Sequence, residues 1–167
     1  MTAPGHRRKL WPLGLGMGLA LAAAGLFMTV AQTLAGTTDE IVTDRLTGLA
    51  INGYDPVAYF TDGKATPGRD EFEYAFAGGV WRFRNEGNRA AFIAAPEVYM
   101  PRFGGYDPIG VARGVALPGD PRLWHLAGQR LYLFRSADDQ AHFVLDEERM
   151  AATADRKWPI LQQKFLH

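Results

Sequence analysis

The side chains best suited to chemistry belong to one short word written twice: Gly-Tyr-Asp-Pro-Val at 53–57 and Gly-Tyr-Asp-Pro-Ile at 105–109. Each copy sets a phenol and a carboxylate beside a glycine, in Tyr54 and Asp55 and again in Tyr106 and Asp107. A carboxylate is a hard oxygen donor, suited to a divalent cation, and the imidazole of His125 would suit a borderline metal. The same word is also turn chemistry. Glycine tolerates unusual φ, a residue before proline is pushed to an extended shape, and proline fixes the direction in which the chain leaves. An internal duplication would echo the first copy's surroundings 52 residues later, where Trp81 and Phe83 fall on Leu133 and Arg135 without a glycine turn between matching strands. Two independent turns sharing a vocabulary are therefore expected, and the match between them is read as accidental.

The remaining titratable groups have simpler readings. His125 falls opposite Tyr132 if Gly128-Gln129 turns a hairpin, and a lone strand histidine beside Trp124 is usually hydrogen-bonded to backbone. His142 has Asp138 and Asp146 four residues to either side, which favours imidazolium without any metal. The neighbouring acids Asp138-Asp139 and Glu147-Glu148 point about 100° apart on a helix, so they are expected to form a solvated face rather than a shared site.

Several classes are excluded. With no cysteine there is no disulfide, thiolate metal site, c-type haem link or cysteine nucleophile. No glycine-rich phosphate loop, nucleophile elbow or His-Glu-x-x-His motif is present, so binding is expected ahead of catalysis, with an enzyme of unrecognised type as an alternative. Basic and acidic residues balance at 18 each, and three of the basic ones, Arg7, Arg8 and Lys9, precede the first acid at Asp39. No cationic stripe remains for nucleic acid, and none is expected as a partner.

Residues 1–36 carry that basic start and then an apolar run from Leu10 to Ala31. The run is long enough to span a bilayer, while its glycines and the small residues Thr29/Ala31 and Thr33/Ala35 suit a cleaved signal; an N-terminal hydrophobic helix is expected in either case. Charge asymmetry sends the chain beyond Asp39 out of the cytoplasm, so a periplasmic domain is expected, released or anchored to the inner membrane. A linker covers 37–48 and one compact domain 49–167.

Within that domain "EFEYAFAGGVWRFRN" alternates about Gly78-Gly79 and predicts a hairpin with Phe76 opposite Trp81 and an aromatic face; a loop one residue earlier keeps the same faces. Asn85 caps a short helix that Pro96 closes. "LWHLAGQRLYLF" predicts a second hairpin, apolar on both faces and hence more deeply buried. Ser136 caps a terminal helix reaching to about Ala154, with Asp139 at the reciprocal position. The fold class is α+β: a small antiparallel sheet from two hairpins, with a short middle helix and a C-terminal helix. Its many aromatics are expected to build the core.

"INGYDPVAYFTDGKATPG", "YAFAGGVWRFRNEGNRAAFIAAPEVYMPRFGGYDPIGVARG", "DPRLW" with "GQRLYLF", and "ATADRKWPIL" together resemble the exported bacterial YHS-domain proteins over nearly all of 49–161. The resemblance implies association with metal handling and defines no reaction. It also implies a cysteine or selenocysteine after Gly-Gly-Tyr, where this chain has Asp107. Soft-metal and thiol chemistry give way there to a hard oxygen that suits a divalent cation. The expected function is an exported or membrane-anchored binding module contacting a divalent metal or small ligand near Tyr54, Asp55, Tyr106, Asp107 and His125, with Asp107 as metal ligand. The alternative is an accessory subunit docked on a membrane protein complex.

Overall fold

The computed structural model describes residues 41–165; the expected leader, the hydrophobic helix expected within it and the first part of the expected linker lie outside them. Among the described residues no helix is long and apolar enough to cross a membrane. The described chain is α+β, with ten helices and strands in order: α1 (Ala58–Thr61), β1 (Arg69–Phe76), β2 (Gly79–Phe83), α2 (Glu86–Ala94), α3 (Pro96–Tyr99), α4 (Pro108–Ala112), β3 (Asp120–Ala127), β4 (Arg130–Phe134), α5 (Ala137–Val144) and α6 (Glu147–Phe165). Short 3-10 turns at Ile51–Gly53 and Arg102–Gly105 precede α1 and α4.

The order contains the same unit twice, which corrects the expectation of unrelated turns. Each unit runs 3-10 turn, Tyr-Asp-Pro, short helix, hairpin, helix. Tyr54 bridges Pro67 and Tyr106 bridges Pro118. Asp55 N–H donates to the Thr66 carbonyl at 2.8 Å, and Asp107 N–H to that of Leu117 at 2.8 Å. Arg69 pairs with Phe83 and Tyr74 with Trp81; 51 residues later Asp120 pairs with Phe134 and His125 with Tyr132, and both ladders break at the same place. The spacing is 52 through the Tyr-Asp-Pro words and 51 from Gly63 and Gly114 onward, because the second unit is one residue shorter around α4. At a spacing of 51, Trp81 and Phe83 fall on Tyr132 and Phe134, and Phe92 on Phe143.

Two glycines show why the unit constrains its sequence. A Cβ on Gly68 would lie 2.4 Å from the Arg82 carbonyl carbon, and one on Gly119 2.8 Å from that of Leu133, so the strand crossing there leaves room only for hydrogen. Both hairpins turn through two left-handed residues, Ala77-Gly78 and Gly128-Gln129, with the glycine placed second in one and first in the other. The first loop thus sits one residue earlier than Gly78-Gly79, and Phe76 opposes Gly79 rather than Trp81. The aromatic face is kept: Tyr74, Phe76, Trp81 and Phe83 all pack on Phe92 of α2. The second register, His125 against Tyr132, is as expected.

The hairpins form two separate two-stranded sheets rather than one, each with its own core. They are joined by β4, whose two faces serve different cores. Leu131 and Leu133 pack in the first, and Tyr132 and Phe134 in the second. This is why both faces of that strand had to be apolar. Tyr59 adds a second tie, its hydroxyl donating to the Pro121 carbonyl at 2.8 Å and its ring meeting Trp124 edge-on. Ile41 and Val42 are buried in the first and second core respectively, so the packed domain takes in part of the 37–48 segment.

Asn85 caps α2, its side chain accepting from Asn88 N–H at 2.8 Å, and Ser136 caps α5 in the same way through Asp139 N–H. The terminal helix is two helices. α5 stops at Val144, and α6 runs from Glu147 through Pro159 to Phe165, well beyond Ala154. The second core covers α6 with Ala154 and Leu161 buried, which holds the helix together across the proline. The break also removes Asp146 from helical register with His142; its carboxylate pairs with Arg149 instead.

Candidate functional site

Asp55 and Asp107 occupy equivalent places. Each follows a left-handed glycine and an extended tyrosine, and each turns its carboxylate back onto the N–H groups that open the next helix. From there the two differ. Asp55 is fully buried and accepts four hydrogen bonds. Oδ1 takes the N–H groups of Val57 at 2.9 Å and Ala58 at 3.3 Å, and Oδ2 takes Arg84 N–H at 2.8 Å and the Asn88 amide at 2.7 Å. One side chain thus locks the first turn to the end of β2 and the start of α2.

Asp107 is 1% exposed and accepts one such bond, from Gly110 N–H to Oδ2 at 2.9 Å. Its Oδ1 is buried with no hydrogen-bond partner. The difference lies in the partner: where the first unit has Asn88, the second has Asp139, which is an acceptor. The Asp139 carboxylate is itself held by the Ser136 hydroxyl at 2.7 Å. Burial pushes the Asp107 pKa above its ordinary value; the backbone N–H of Gly110, and more weakly those of Ile109 and Arg135, oppose the rise, and the Asp139 charge adds to it.

The two tyrosines are core walls. Tyr54 is half-buried against the first core, and Tyr106 stacks on Phe165 and meets Trp158 in the second. His125 takes a carboxylate rather than backbone: its Nε2 lies 2.5 Å from Glu147 Oε1, tying β3 to the start of α6. Asp139 and Glu147, expected from sequence to belong to a solvated face, are therefore the two acids that bear on the candidate residues, Glu147 by contact with His125 and Asp139 by its charge on Asp107. A 51-residue spacing would have exposed Asp139, by setting it against Asn88; no local signal marks Glu147. The five candidates are not gathered at one point, since the side-chain partners of Asp55 all belong to the first unit, Asp107 bonds to Gly110 in the second, and His125 bonds to α6.

Among the described residues no three His, Asp or Glu side chains converge as a metal would require. Asp107 and Asp139 offer two carboxylates and no soft donor, a set that fits a hard cation completed by water or backbone oxygen and does not fit a thiophilic metal. Comparison with protein-family models, with curated proteins and with solved structures finds no match to this chain.

Proposed function

We propose that this chain is an exported binding module of the YHS kind, periplasmic and either released or held at the inner membrane, whose ligand is a small hard cation contacted by Asp107. The observation that carries the reading is the buried, unpartnered Oδ1 of Asp107 beside a second acid, Asp139, where the first unit supplies a neutral amide. A buried carboxylate left without a donor is costly, and either a proton or a cation relieves it. Asp107 and Asp139 would hold the ion and Ser136 would orient Asp139; the cation would supply charge compensation rather than a reaction.

Calorimetric titration of the full chain with Mg, Ca, Mn, Zn and Cu tests this. Binding is expected for the oxygen-preferring ions at neutral pH, weakened at least tenfold by either Asp107→Asn or Asp139→Asn. No heat with any ion, or equal heat in wild type and both variants, overturns it.

A further inference from the structure

A second set of charged groups lies away from Asp107. A cavity of about 120 Å³ opens between α3, the 102–105 turn, the start of β4 and α6, and its charged lining is two guanidiniums, Arg102 and Arg130, with one carboxylate-bearing residue, the exposed Glu97. Arg102 is committed to Asp155 of α6 and lies over the Phe103 ring. Arg130 donates to the Glu97 backbone carbonyl at 3.0 Å and has no carboxylate partner among the described residues. The other walls include Met100, Phe103 and Trp158.

A guanidinium presents parallel N–H groups that match a carboxylate in plane, and it is weakly hydrated enough to do so at a partly buried site. The volume equals that of about four waters, room for an anion of four to six heavy atoms. We infer that this cavity binds a small monocarboxylate with a short apolar tail, its carboxylate on Arg130 and its tail against Trp158 and Met100.

The test is titration of the full chain, in detergent and chloride-free buffer, with propionate, formate and inorganic phosphate, followed by calorimetry and by tryptophan fluorescence. Propionate is expected to bind saturably, with a dissociation constant on the order of 1 mM, and more tightly than formate. Arg130→Gln should weaken it about tenfold, the loss of one charge-assisted pair, and Arg130→Lys less, because the charge remains without the fork. Trp158→Phe should abolish the fluorescence change while calorimetric binding persists. Any of three results overturns the assignment: no saturable propionate response, phosphate bound in preference to propionate, or unchanged propionate affinity in both Arg130 variants with wild-type circular dichroism.

Discussion

The two Tyr-Asp-Pro turns share a backbone and differ in what they ask of one carboxylate. In the first, Asp55 meets a neutral amide and three N–H groups and is spent entirely on holding the unit together. In the second, replacement of that amide by Asp139 leaves Asp107 with a buried oxygen unpaired. A repeated fold can thus keep one copy of a residue as a brace and leave the other with capacity to spare, and the change that separates them lies 32 residues downstream of Asp107, not in the repeated word.

Removing the brace should have the largest effect. Asp55→Ala strands several buried donors at once and is expected to lower stability by about 3–5 kcal/mol in urea unfolding, whereas Asp107→Ala costs about 1 kcal/mol or less. Equal losses would end the contrast. The shared strand crossing comes next: Gly68→Ala and Gly119→Ala should each cost about 2–3 kcal/mol, since a methyl meets strand backbone in both. A loss in one alone would break the equivalence of the units.

Asp139→Asn sharpens the comparison from the other side, by giving Asp107 the partner that Asp55 has. It should raise stability at pH 7 by about 1–2 kcal/mol, read as a higher midpoint. The pH dependence comes from the raised pKa of Asp107. The folded state holds that proton more tightly than the unfolded chain, so stability should fall as pH rises from the ordinary value of 3.8 through the folded-state value, and the fall should flatten in Asp139→Asn. A slope unchanged in the variant would remove Asp139 as a contributor beside burial. An effect as small as that of Asp107→Ala is expected at the tie between the cores, where Tyr59→Phe leaves the Pro121 carbonyl without its donor and should cost about 1 kcal/mol by the same unfolding measurement.

Much of this architecture is legible in the sequence because it depends on near neighbours. Alternation reveals both hairpins, Asn85 and Ser136 declare their caps, and the two apolar faces of the second hairpin foretell a deeply buried strand, which β4 is. Asp107 stands out as a candidate in the same way. The repeat escapes a sequence reading because a fixed spacing of 52 fails after the one-residue contraction near α4, and backbone geometry tolerates that contraction where an alignment held rigid does not. The continuation of α6 through Pro159 escapes it because proline argues locally for a stop, and only packing of Ala154 and Leu161 on the second core outweighs it.

By itself, then, the sequence determined the α+β class, the turn chemistry and the absence of any thiol, all of which depend on residue type and short-range period. Tertiary structure alone decided that the hairpins remain two sheets, that His125 answers to Glu147, and that Asp107 lies in the field of an acid where Asp55 is bonded by an amide. The reason is that hydrogen-bond partners and local dielectric are set by groups dozens of residues away, brought close only when both cores have closed.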